Sequence, residues 1–397
     1  MSSPRSRLLP VHAVLLLAMF GVTACASDAR PAPAAEPTTD AHDVGAGDAA
    51  EVAAPARALV IADADGALTL LDLATEERTA LAEASGGVER IDSDGRLLFV
   101  AHDSAVDVID TARWTVPHGD HTHSFLGDAG PLGSIDGDGG SVRGGEQSAT
   151  VQFEGEVVVL PHDDLSLEHA VRLDIAADGP VLAFAGHLLV PSGGAIEVHD
   201  GSGDPITGAA VPCADVSDAD ITRVGAVFAC ADGAVLFTRE VGGVVAGEAI
   251  PAPPGAPMAA DLAGRTGRPD LAGVAGEQGA WLLDVRQRTW TLLASEVPLR
   301  RAVALGDDES RTIAVDAEGR ALILGRDGAV LARTEPLVAA SIADPASLDR
   351  LQLIVDAQSA YLSDPAAGAV YELDHTDDLR LTRTFTDLDP WFVQQVG

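Results

Sequence analysis

The sequence predicts an all-β chain folded as a single β-propeller of seven or eight four-stranded blades, and three observations carry that prediction. One eight-residue phrase, a turn pair followed by a β-rich run, occurs eight times between Asp65 and Asp374. Successive copies start about 43 residues apart on average, the length of one small antiparallel sheet in a propeller. Segments with helical periodicity are almost absent.

At the start of the chain, Arg5 and Arg7 precede an apolar run from Leu8 to Val22. The run is too short for a comfortable membrane span and has the layout of a signal peptide over residues 1–24. It ends in Val22-Thr23-Ala24-Cys25-Ala26-Ser27, which resembles a bacterial lipobox. On that resemblance Cys25 carries lipid and anchors the protein to the outer face of the cell membrane. The alternative is an ordinary secretory signal that leaves Cys25 free. Both readings give an extracytoplasmic address.

Residues 25–56 are Ala, Pro, Asp, Glu, Thr and Gly with hardly a large apolar side chain. Such a segment cannot bury enough surface to offset its ordering entropy, so it reads as a disordered tether. The tether holds His42-Asp43, which could catch a metal and pass it inward.

Residues 57–397 exceed the usual size of one compact core, and the repeat resolves that excess into a ring. The phrase begins as Asp65-Gly66-Ala67-Leu68-Thr69-Leu70-Leu71-Asp72 and returns from Asp103, Glu154, Gly193, Asp232, Gln278, Glu318 and Ala367. A second apolar strand lies just upstream of most copies, as in Leu98–Ala101, Leu188–Val190, Ala226–Ala229, Thr312–Val315 and Ala360–Leu362. Gly or Asp between two such runs is a hairpin signal. A terminal strand near Leu379 to Phe385 is expected to close the ring against the first blade.

The formal charge is -36, from 61 acidic and 25 basic residues, and no basic residue is lysine. Lysine nucleophiles and Schiff bases are thereby excluded. Nucleic acid is an unsuitable partner, and the only membrane contact expected is through the lipid anchor, since both surfaces need basic patches. Once Cys25 is set aside, Cys213 and Cys230 remain, and a leftover pair in an oxidising compartment is most simply a disulfide. The alternative, a pair of soft metal ligands, lacks a histidine close to either cysteine.

Three of the eleven histidines fall within six residues, in the run Trp114-Thr-Val-Pro-His-Gly-Asp-His-Thr-His-Ser-Phe-Leu. His118, Asp120, His121 and His123 offer imidazole nitrogens and a carboxylate, a donor set suited to zinc. His121 and His123 are two apart, so an extended backbone would turn both to one side. The competing reading is a solvated polar turn rich in Pro and Gly. The cluster lies in the first of the longer repeat spacings, as an insertion at a connection, where sites usually sit. His102 reads as a satisfied turn residue and His187 as structural, while His162, His169, His199 and His375 read as solvated.

No catalytic triad order, nucleophile elbow, phosphate loop or dinucleotide fingerprint occurs, and no enzymatic activity is expected. Asp136-Gly137-Asp138-Gly139-Gly140 has part of a calcium-loop pattern without the glutamate at its twelfth position or flanking helices.

The histidine run from His118 to Phe125, the segment from Cys213 to Leu236 and the tail from Ala360 to Leu373 resemble the AztD zinc metallochaperones. The resemblance covers most of residues 57–397. It implies a periplasmic β-propeller that holds Zn2+ in a buried site and hands it to the solute-binding protein of a zinc ABC importer; the chain itself is expected to be a monomer. It also implies that Asp120, His121 and His123 match the family's histidine loop, and Cys213 and Cys230 its paired cysteines. Where the family has further histidines, this chain has Ser217 followed by Asp218 and Asp220, and Asp178 before Gly179. Ligands completing the site would then come from Asp218, Asp220, His187 or Asp178. The alternative function is a metal-free propeller that serves as a protein-interaction scaffold in the cell envelope.

Overall fold

The computed structural model describes residues 49–397 except 85, 103, 119, 120, 139, 146 and 164, and omits the side chains of Pro117, His118 and His121. The signal peptide, Cys25 and His42 lie outside the described residues. Eight antiparallel sheets follow one another along the chain as eight blades, the upper of the two blade numbers expected. The repeated phrase forms the third strand of seven blades, from Ala67–Asp72 in blade 1 to Ala369–Asp374 in blade 8, and the middle strand of three-stranded blade 6. The upstream apolar runs are the second strands.

Why these residues form strands follows from their burial. In blade 1 all five residues of Ala58–Ala62 are buried, and in blade 2 so are all six of Leu97–His102. A strand covered on both faces reads as a continuous apolar run, because each blade packs between two others. Eight separate apolar clusters fill the eight spaces between adjacent blades. The cluster joining Leu59, Leu71 and Val393 to Tyr361, Val370 and Phe385 closes blade 8 onto blade 1.

The closing strand differs from the expectation. Arg380–Phe385 is the outer strand of blade 8, whereas Phe392–Val396 pairs with Ala58–Ala62 as the innermost strand of blade 1. Arg380 to Thr382 and Thr384 are exposed, but the last strand supplies buried Phe392, Val393 and Val396. The interior position therefore goes to the more apolar segment. Blade 6 has three strands, and its innermost place is taken by two bridges, Ala263 to Ala272 and Gly264 to Ala304.

A ninth, small sheet is inserted between the third and fourth strands of blade 2. Strands Arg113–His118 and His121–Leu126 form a hairpin, and Ala50–Val52 adds to its edge. Those three residues fall within the segment that composition reads as tether. Backbone pairing with an exposed strand edge orders them without a large apolar side chain. Among the described residues no helix is long and apolar enough to cross a membrane.

Cys213 and Cys230 form a disulfide, with Cα atoms 5.3 Å apart. It joins the end of blade 4 to the second strand of blade 5, so it links neighbouring blades. The Gly137–Gly140 run is explained by packing. A Cβ on Gly140 would lie 2.4 Å from Val106 and 2.9 Å from Phe153, so that position needs glycine for close approach rather than for a calcium or phosphate ligand.

Candidate functional site

Two features meet at one end of the ring, the histidine hairpin and the central channel. The hairpin is fixed at its root by stacked planes. Trp114 and Phe125, opposite each other in the register, stack at 5.1 Å. The Arg96 guanidinium sits 3.7 Å from the Trp114 ring centroid and also grips Asp110 through two bonds of 2.9 and 2.8 Å. Arg96 thus ties blade 2 to the hairpin by a bidentate ion pair and a cation–π contact at once. Arg113 completes the root, bonding Asp72 at 2.9 Å and the Ala56 carbonyl at 2.9 Å.

Toward the tip, the register sets His118 opposite His121, Pro117 opposite Thr122 and Val116 opposite His123. The two-residue connection holds Asp120. Asp120 and the side chains of His118 and His121 lie outside the described residues. His123 is half-buried, and its Nδ1 lies 2.6 Å from Oε1 of Glu51 on the added edge strand. Because a carboxylate only accepts, Nδ1 carries the proton in this bond, and Nε2 is the nitrogen through which His123 would bind a metal. Among the described residues no group of three or more His, Cys, Asp or Glu is arranged to hold a metal ion.

The central channel is a cavity of about 600 Å³ lined by the innermost segment of every blade. Asp92, Asp94, Asp220, Arg143 and Arg223 carry its charge, while Gln394 and Gln395 of the closing strand add neutral polar groups. Arg143 pairs with Asp218 at 2.9 Å, and the other Asp218 oxygen accepts the Leu262 amide at 3.0 Å. Burial raises both Asp92 and Asp218 above the usual carboxylate range, against the pull of Arg143. Asp220 is pushed up to about 6 by burial, and the neighbouring Asp218 adds to the shift. The channel thus gathers Asp92, Asp218 and Asp220 around Arg143, and their burial favours the protonated carboxyl.

A second cavity of about 490 Å³ connects the two features. It is lined by Trp114, Thr115 and Val116 of the hairpin and by Asp94, Gly95, Gly145 and Thr266, which also border the channel. The hairpin therefore stands beside one mouth of the channel. His162 belongs to this mouth, with Nε2 3.1 Å from Asp94 Oδ2, whereas its sequence context reads as a solvated connection.

His199 and His375 also differ from the solvated reading. Both are buried, His199 between the Gly203 carbonyl and Glu197, and His375 on the Asp356 carbonyl. His169 is exposed, as expected. His102 is buried 3.4 Å from Asp107. Of the expected completing ligands, Asp220 lines the channel and Asp218 flanks it. Asp178 instead accepts the Gly193 amide at 2.7 Å, and His187 bonds the Ala185 carbonyl at 3.0 Å. Neither lines the channel. Asp94, Arg143 and Asp92 have no local signal, because ring closure alone brings them to the axis.

No family model matches the chain, and no curated protein matches it. Among solved structures, the crystal structure of Citrobacter koseri AztD superposes with a TM-score of 0.72 at 17% identity, covering 87% of this chain and 98% of that one. The structure of apo AztD from Citrobacter koseri gives the same values. Dihydro-heme d1 dehydrogenase NirN in complex with DHE superposes at 0.55 and 17% identity, covering 86% of this chain and 76% of that one. With 98% of the AztD chain covered at this TM-score, the protein has an AztD-like β-propeller fold.

Proposed function

We infer that the protein is an extracytoplasmic zinc-binding metallochaperone that carries Zn2+ on the hairpin of His118, Asp120, His121 and His123. On this reading it delivers the ion to the solute-binding protein of a zinc ABC importer. It works as a monomer held at the membrane by lipid on Cys25, and it is not an enzyme. The observation that carries the reading is the hairpin register, which opposes His118 and His121, with His123 two positions on. Val116 and Thr122, which flank the end of the hairpin, are exposed, so this end is within reach of a partner protein, which transfer requires. The Glu51 contact supports it further, since a carboxylate on the far nitrogen of a metal-binding imidazole fixes its tautomer and raises its basicity. The AztD-like fold agrees with the reading.

The test is the zinc content and affinity of the purified protein beside a His121→Ala, His123→Ala double variant. One tightly held zinc that disappears in the double variant supports the site, and transfer to a solute-binding protein is then the next assay. Absence of zinc from both proteins overturns it in favour of the metal-free scaffold.

A further inference from the structure

The repeated phrase ends in aspartate in several blades, and in most of these an arginine meets it. Asp72 bonds Arg113 at 2.9 Å, Asp110 bonds Arg96, and Asp374 lies 3.4 Å from Arg380. The strand residue opposite each is uncharged, namely Ala58, Leu97 and Ser359. In blade 6 the phrase carries its aspartate one position earlier, and this Asp284 stands opposite a second aspartate, Asp270. The nearest arginine atom, on half-exposed Arg326, is 4.0 Å from Asp284.

Asp270 is completely buried, and among the described residues the Ser310 hydroxyl is the one group placed to hydrogen-bond it. The Thr312 hydroxyl of blade 7 is also completely buried and has no hydrogen-bond partner among the described residues. Strand alternation places these groups in one layer. Asp270, Asp284 and Thr312 each lie two residues from Ala272, Leu282 and Ala314, which pack together between blades 6 and 7. The Ser310 side chain is close enough to act on Asp270, and Arg286 and Asp307 are its remaining charged neighbours. Two buried carboxylates side by side are strongly unfavourable when both are ionised.

We propose that Asp270 and Asp284, with the hydroxyls of Thr312 and Ser310, form a calcium site that fastens blade 6 to blade 7. The donors are all oxygen, which selects a hard cation, and backbone carbonyls and water can complete the six to eight ligands that calcium takes. A shared proton would join the two carboxyls and leave the Thr312 hydroxyl alone, whereas one ion engages all three side chains. Blade 6 lacks a regular innermost strand, so an added link to blade 7 falls where the ring has the least backbone pairing. The site is independent of zinc binding at the hairpin.

The test is calcium titration of the full chain by calorimetry and by thermal unfolding, for wild type, Asp270→Asn and Thr312→Val. The wild type is expected to bind one calcium more than Asp270→Asn, and its unfolding midpoint to rise by about 5 °C with the ion in hundredfold excess over Kd. Asp270→Asn should lose that rise, and Thr312→Val, which keeps the side-chain shape, should bind about tenfold more weakly. Equal calcium stoichiometry and equal rises in wild type and Asp270→Asn would put the ions elsewhere on the acidic surface and overturn the proposal. No rise in the wild type, with a midpoint that falls between pH 5 and 8, would identify a shared proton and overturn it equally.

Discussion

The Glu51 carboxylate lies 2.6 Å from Nδ1 of His123, so the segment that enters the propeller is joined to the histidine strand by a side chain as well as by backbone pairing. Glu51→Gln keeps the shape of this contact and removes the charge. Loss of such an outer partner typically costs 10- to 100-fold in metal affinity. We expect Glu51→Gln to bind zinc about tenfold more weakly in competition against a chelator, with unchanged stability of the zinc-free protein. Unchanged affinity would mean that Glu51 only pins the edge strand.

The Cys213–Cys230 bridge closes a loop of 17 residues between blades 4 and 5. In the chain-entropy account a loop of this size contributes about 3 kcal/mol by restricting the unfolded chain. Both cysteines are buried among Phe184, Phe228 and Phe237, so the double Cys→Ala variant also leaves small cavities. The double variant should lose at least that much in urea denaturation. Reduction of the wild type should reproduce most of the loss, and zinc binding at the distant hairpin should be retained.

The blades were legible in the sequence because their third strands repeat a local pattern, a turn pair followed by residues buried on both faces, as in Gly233–Arg239. The histidine hairpin was legible as an insertion, since it lengthens the spacing after Asp103. The closing strand was not. Arg380–Phe385 and Phe392–Val396 are both short and β-rich, and the choice between them depends on packing against Ala58–Ala62 at the other end of the chain. The channel mouth was hidden for the same reason. Asp94 and His162 lie in different blades, and Asp92, Arg143 and Asp218 occupy short innermost strands outside the repeated phrase. Their meeting follows from the closure of the ring, and no window of sequence contains it.

The Arg143 guanidinium is the positive charge paired with Asp218 and acting on Asp92. Arg143→Met keeps much of the aliphatic bulk, leaves Asp218 without its paired guanidinium and leaves Asp92 with Arg90 alone. Breaking one side of a buried pair costs about 3–5 kcal/mol. Both partners retain some access to the channel, which lowers the expectation to about 2 kcal/mol. Adding Asp218→Asn should recover part of the loss in urea denaturation. A loss under about 0.5 kcal/mol in the single variant would mean that water in the channel already screens the pair.

Asp220 gives the channel a pH dependence of definite sign. Burial holds it near 6 in the folded protein, above the value of 3.8 for a free side chain. The folded state therefore keeps a proton that the unfolded chain releases. This stabilises the fold fully below a pH of about 4, and the contribution disappears as the pH rises through about 6. Between pH 5 and 8 the residue should account for a loss of roughly 1 kcal/mol. Asp220→Asn cannot ionise, so its urea stability should fall less than that of the wild type over the same interval, and the two proteins should differ most at the alkaline end. Parallel pH profiles for the two would show that the Asp220 carboxyl is solvated in the channel and titrates alike in the folded and unfolded chains.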